Sequence, residues 1–327
     1  MQEQGAKKAK SMTVTPKPQK TPLARPGVPR GAVPAVSVII ATYNWSQVLP
    51  YSIGSVLLQT MQDFEIIVVG DGCTDDSAEV VASIGDARIS WVNLPVNTGH
   101  QSGPNNEGLA RARGRIIAYL GHDDLWLPHH LSSIVEAIGD GADFVHSGVL
   151  MVKPDDRGQY PLFVRAFRPG TAFPPSGIGY RREVADAVGS WRDYREIESF
   201  PDRDRWRRIC ERGFVMRPVH RLGAIKLAAS ARKHVYRERP SHEQAAWLER
   251  IRTDPALEAT ELAKFISHRT LRHELRTIVG GWAFKGLRRL KLGLSPKAGS
   301  EIELLRRFRG LETHPAGSKS RSTGEPA

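Results

Sequence analysis

The run Arg115-Ile116-Ile117-Ala118-Tyr119-Leu120 is apolar on both of its alternating faces. A strand of that kind is stable only where layers cover it on both sides, as in the middle of a parallel sheet. Asp123 and Asp124 follow within three residues, too soon for the chain to have left the sheet. Ligands of open α/β sheets bind beyond the carboxyl ends of the strands, so the pair stands where a ligand would sit. Two adjacent carboxylates repel and raise each other's pKa unless a cation or strong donors hold them ionised. A hard divalent ion, Mn²⁺ or Mg²⁺, meets that need and brings a phosphate with it. The competing reading is a cap for the helix expected near Pro128. The pair by itself does not choose.

The rest of the first half repeats one pattern. Residues 36–41 form a β-branched first strand ended by Thr42, Tyr43 and Asn44, and a helical pattern follows over 46–59. A second strand at 64–69 stops at Gly70-Asp71-Gly72-Cys73-Thr74-Asp75-Asp76, where Thr74 or Asp75 is placed to cap a helix running to Ile84. A strand at 89–93, a helix at 105–113, the central strand, a helix at 128–138 and a strand at 144–146 complete the alternation. Strand and helix in turn with short connections predict an α/β chain with a doubly wound, mostly parallel sheet flanked by helices. Neither Gly-x-Gly-x-x-Gly nor a Walker Gly-Lys-Ser/Thr follows the first strand, which argues against dinucleotide oxidoreductases and P-loop enzymes.

Charge narrows the partner. Forty-seven Lys and Arg against 35 Asp and Glu leave +12, which favours an anionic ligand or surface. The basic residues are not interleaved with aromatics on a strand platform, so no nucleic acid is expected. Cys73 and Cys210 are too few for a disulfide framework, and a reducing cytosol suits them. The first residues are polar and lysine-rich with no apolar run behind them, so neither signal peptide nor membrane span is expected. A cytoplasmic location follows as the expectation.

At this point the chain resembles glycosyltransferase family 2, inverting enzymes of the GT-A fold. Four stretches carry the resemblance: residues 36–44, the helix-to-strand passage 55–69, the Asp71-Gly72-Cys73-Thr74-Asp75 turn, and Leu120-Gly121-His122-Asp123-Asp124-Leu125-Trp126. The resemblance implies that Thr42, Tyr43, Asn44 and Asp71 hold the nucleoside of a nucleotide sugar. Asp123 and Asp124 would take the diphosphate and its Mn²⁺ or Mg²⁺. Gly70 and Gly121 stand where many members carry Asp, and His122 reads as a hydrogen-bonded spacer or a second metal ligand. Inversion requires a general base beyond the nucleotide half. There Pro201 replaces the family's Glu and Asp202 keeps its Asp, so Asp202 is the expected base, with a helix-starting role as the alternative. Asp204 reads as a salt-bridge partner of Arg208, and Trp206 as core.

The organisation expected is a disordered basic tail (1–34), a catalytic domain (35–235) with nucleotide-sugar and acceptor halves (35–150 and 151–235), a helical C-terminal extension (236–312) and a disordered tail (313–327). Basic amphipathic stretches at 281–291 and 304–308 either pack on the domain or lie peripherally on an acidic leaflet. The function implied is metal-dependent transfer of a sugar from a nucleoside-diphosphate sugar, UDP most of all, to a glycan, lipid-linked or protein acceptor in surface polysaccharide, glycolipid or glycoprotein synthesis. A nucleotidyltransferase and a catalytically impaired nucleotide-binding module are the rival readings.

Overall fold

A computed structural model describes residues 33–154, 158–164, 166–169, 171–267 and 298–311. Its first half follows the predicted alternation: β1 (Val36–Thr42), α1 (Leu49–Leu57), β2 (Phe64–Gly70), α2 (Ser77–Ser83), β3 (Ile89–Asn93), α3 (Ser102–Arg111) and β4 (Ile116–Tyr119). Then come β5 (Leu125–Trp126), α4 (His130–Gly139), β6 (Phe144–Val152), β7 (Gln159–Leu162), β8 (Ile178–Arg181), α5 (Arg182–Val188) and α6 (Pro201–Glu211). The long β9 (Met216–Leu227) precedes α7 (Val235–Glu238), α8 (His242–Thr253), α9 (Leu257–Ser267) and α10 (Ala298–Phe308).

One sheet runs β3-β2-β1-β4-β8-β6-β9-β5, with β7 on the side of β6. Pairs among β1 to β4 are parallel, as the alternation requires. From β8 onward the sheet is mixed, because β8 runs against both β4 and β6 whereas β9 runs with β6. The switch from β1 to its two flanking strands, β2 and β4, opens a crevice at their carboxyl ends.

Strand alternation builds the two layers. Val36, Val38 and Ile40 point to one face and pack with Leu49, Ile53 and Val56 of α1 and Leu131 and Ile134 of α4. Ile39, Ile67, Val69 and Ile117 point to the other, where Val184 of α5 and Trp206 and Ile209 of α6 cover them. Trp206 is core, stacked on Phe173 with its indole N–H donating to the Phe173 carbonyl at 3.2 Å.

Two elements depart from the expectation. β9 is longer than anything the sequence signalled in that region. Its first half is charged and holds Pro218, a composition that strand scales reject. It is tolerated because this half pairs with β6 alone, an edge position, and its register slips beside Gly148. The helical extension, in turn, builds a third apolar cluster with the sheet: Trp247, Leu248 and Ile251 of α8 bury against Leu125, Leu150, Leu222 and Ile225. The amphipathic stretch at 281–291 and both tails lie outside the described residues. Leu248, 3% exposed, should cost about 2–5 kcal/mol when changed to Ala. Urea unfolding checks this, and a midpoint equal to wild type would show α8 to be a surface appendage.

Candidate active site

A cavity of about 510 Å³ opens at the carboxyl ends of β1, β2 and β4. Thr42, Tyr43, Asp71, His122, Asp123, Asp202 and Lys226 line it, and Arg306 and Arg309 close it from the C-terminal helix. The structure thus brings five of the seven expected residues to one space. Asn44 and Asp124 have other work.

Asp124 is fully buried and absent from the cavity wall. Its Oδ2 accepts from Lys226 Nζ at 2.8 Å and from Ser176 Oγ at 2.5 Å, and its Oδ1 accepts from the Leu227 amide at 3.1 Å. Burial pushes its carboxyl up and the neighbouring ammonium pulls it back. Lys226 is held above its ordinary value even though burial opposes its charge, chiefly by Asp124 and then Asp123. These tendencies place the proton differently. Three donors on one carboxylate decide for the ion pair. Gly121 fits this packing, since a Cβ there would lie 2.7 Å from Asp124 Oδ2. The space that a side chain at 121 would fill is taken by the Asp124 carboxylate.

The two adjacent acids are therefore divided. Asp124 joins the β4–β5 turn to β9 and to the segment before β8, while Asp123 turns to the cavity. Among the described residues the Asp123 carboxylate accepts no protein hydrogen bond, and only its carbonyl is engaged, by Gln244. Among them, too, no group of three His, Cys, Asp or Glu side chains could hold a metal ion. The expected ligand role of Asp124 is corrected here, because both its oxygens are already engaged. One hard oxygen donor, Asp123, remains to a divalent ion, whose other positions would fall to its ligand and water.

His122 is the spacer between the acids and the sheet. Its Nδ1 lies 2.7 Å from Thr42 Oγ1 and its Nε2 3.3 Å from the Tyr236 hydroxyl, and Trp45 packs edge-on against the ring. Burial pushes its pKa down to about 4, so the imidazole is neutral and both nitrogens have partners.

The side of the cavity next to β2 is braced by Asp71. Asp71 Oδ1 accepts from the Thr98 amide at 2.9 Å and from its hydroxyl at 2.7 Å. Burial nonetheless raises this carboxyl. Gly70 is required just before it, because a Cβ would meet Asn93 Oδ1 at 2.5 Å and the Trp91 ring at 2.8 Å. Asn44 differs from the expectation. It adopts φ 43°, a left-handed conformation that Asn tolerates better than most residues. Its Oδ1 accepts from the Thr74 amide at 2.7 Å, which ties the β1 loop to the Asp71–Asp75 turn instead of facing the cavity.

Asp202 also lines the cavity, from the first turn of α6. Its Oδ1 accepts from the Arg203 amide at 2.8 Å, and desolvation raises its pKa above the ordinary carboxylate range. Asp204 faces away and pairs with Arg208 at 2.8 Å, as its spacing predicted. Arg205 anchors the helix: it is buried and donates to the Gly189 carbonyl at 2.6 Å and to the Tyr180 hydroxyl at 3.0 Å. Tyr180 is joined at 2.9 Å to Tyr119, which itself lines the cavity.

Lys226, Ser176 and Arg309 were not anticipated. Lys226 alone carried a signal, a single lysine inside the apolar run Ala224-Ile225-Lys226-Leu227.

Comparisons with known proteins bear on the fold and on the first half of the chain. Residues 37–189, from β1 to the end of α5, match the model of glycosyl transferase family 2. Among similar curated proteins, an uncharacterized glycosyltransferase of Nostoc sp. is 35% identical over 170 residues, covering 47% of this chain and 52% of that protein. A UDP-Glc:alpha-D-GlcNAc-diphosphoundecaprenol beta-1,3-glucosyltransferase of Escherichia coli is 37% identical over 98 residues, 30% of this chain and 39% of its own. A GalNAc(5)-diNAcBac-PP-undecaprenol beta-1,3-glucosyltransferase of Campylobacter jejuni is 33% identical over 126 residues, 37% and 40% of the two chains. The chain thus spans about half or less of the length of these three relatives. S. aureus TarS 1–349 in complex with UDP-GlcNAc superposes with a TM-score of 0.50 at 17% identity over 71% of each chain, which shows a shared GT-A-like fold.

The division of the acids is testable. Lys226→Met strands a buried charge and should destabilise by about 3–5 kcal/mol. Adding Asp124→Asn removes that charge, and its amide could still donate to Ser176 Oγ, so the double variant should recover much of the loss. Denaturant unfolding of the cycle measures the coupling, and simple additivity would mean that the two side chains do not pair.

Proposed function

We propose that the chain is an inverting glycosyltransferase that moves a sugar from a UDP-sugar to the hydroxyl of a lipid-linked saccharide in the assembly of a surface glycan. The observation that carries this reading is the single cavity into which Asp71, Asp123 and Asp202 converge from three elements, at the switch point of a family 2 sheet. The two relatives named as glucosyltransferases of diphosphoundecaprenol saccharides support the acceptor class. The TarS complex with UDP-GlcNAc supports the donor class on a similar fold.

Each wall has one task. Asp71, set by Thr98, receives the nucleoside beside Thr42 and Tyr43. Asp123 faces the diphosphate and is the residue that would hold a Mn²⁺ or Mg²⁺, an ion that neutralises charge on the leaving diphosphate. Asp202 takes the proton of the acceptor hydroxyl as its oxygen bonds the anomeric carbon and the bond to the diphosphate breaks. A base on the far wall is the placement that inversion needs, because the nucleophile approaches opposite the leaving group. Its raised pKa makes it a stronger base than an ordinary aspartate. Among the described residues no helix is long and apolar enough to cross a membrane. The acceptor's lipid would therefore stay in the bilayer while its saccharide enters the cavity.

Asp202→Asn should lower turnover by about 10²–10⁴-fold and leave nucleotide affinity near wild type. Unchanged turnover would reduce Asp202 to a helix-start residue. The acid limb follows in sign: the working form is the carboxylate, so kcat/KM should fall as pH drops through the Asp202 pKa. That midpoint should lie above the usual value of about 3.9 for Asp. A pH–rate profile of transfer from UDP-sugar measures it.

A further inference from the structure

We propose that Arg309, carried just past the end of α10, forms a diphosphate clamp with Lys226 across the cavity, so that the C-terminal helix is part of the donor site. The inference rests on the donor-site reading above and names residues outside the family-matched segment 37–189.

Lys226 Nζ makes one hydrogen bond to protein among the described residues, with Asp124. An ammonium has three donors, so two remain for a ligand. Arg309 also lines the cavity. Its Nε is buried without a hydrogen-bond partner, and among the described residues it makes no ion pair. Its backbone is nevertheless fixed: the Tyr236 amide donates to the Arg309 carbonyl at 3.1 Å, and the His234 amide to the Phe308 carbonyl at 2.9 Å. Farther up the helix, the Tyr194 hydroxyl donates to Glu303 at 2.8 Å and Arg306 donates to the Gly99 carbonyl.

The two cations repel across the cavity, and Arg309 works against the charge of Lys226. Arg309 also heads the charges that, after burial, hold His100 down at about 3. An arginine brought by tertiary contacts to face a lysine, with an orphaned N–H, is arranged for an anion between them. The anion must carry more than one negative charge to satisfy both. A diphosphate does so, and the planar guanidinium suits its paired oxygens. A simpler role exists for Arg309, since a cation near a helix C-terminus offsets the helix dipole. That role predicts an effect on stability and none on phosphate recognition.

Titration calorimetry of the full chain with UDP and with UMP separates these, with Mn²⁺ held constant. Arg309→Met should weaken UDP by roughly tenfold or more while UMP changes by less than about twofold. Arg309→Lys, which keeps the charge, should recover most of the UDP affinity. Equal losses for both nucleotides, or unchanged UDP affinity, would overturn the clamp and leave the donor site standing. Wild type that binds neither nucleotide would overturn the donor-site reading and the clamp together.

Discussion

The Asp124–Lys226 pair is the contact on which the geometry of the site depends. A carboxylate with no exposure is stable only if several donors replace its lost water, and here three donors come from two separate segments: Lys226 and Leu227 on β9, and Ser176 ahead of β8. One buried charge thereby fixes the β4–β5 turn against the mixed half of the sheet. Ser176 adds a second link by accepting from the Gly121 amide at 3.1 Å. With the turn locked, Asp123 has no freedom to fold back and must face the cavity. The glycine at 121 belongs to the same solution, because no side chain fits beside the Asp124 oxygens.

The cavity then has a polarity along its length. Asp71 comes to it from the end of β2, Asp123 from the β4–β5 turn, Lys226 from β9, Asp202 from α6, and Arg306 and Arg309 from α10 and the residue after it. Desolvation acts on Asp202 and on His122 with opposite consequences. It weakens the ionised state of Asp202, which suits a proton acceptor, and it keeps His122 neutral, which suits a spacer. The sheet's mixed half supplies the lysine and α6 the base, so the chemistry proposed here draws on residues beyond the family-matched segment.

Legibility in the sequence followed the physics of each element. The parallel half was readable because buried strands and their covering helices have strong, opposite periodicities, and β1, β2 and β3 begin where the pattern predicts. The gathering of Asp71, Asp123 and Asp202 at one cavity was readable because loop ends after strands and first turns of helices lie at the carboxyl edge of such a sheet. β9 was not, since its pairing with β6 overrides a charged sequence that contains proline. The separate duties of Asp123 and Asp124 were likewise hidden: neighbours in a turn look equivalent until tertiary partners are known, and Ser176 and Lys226 are 52 and 102 residues from Asp124. Asn44 was misplaced for a related reason, because a loop residue next to ligand contacts can instead hold the loop. The departures Gly70 and Gly121 proved to be packing requirements.

The most direct test of the account is a crystal structure of the chain soaked with UDP and Mn²⁺. The account predicts UDP in the cavity with its base toward Asp71, its diphosphate between Lys226 and Arg309, Asp202 open on the opposite side, and Asp124 still paired with Lys226. UDP bound elsewhere, or an ion held by Asp124 with Lys226 displaced, would contradict it.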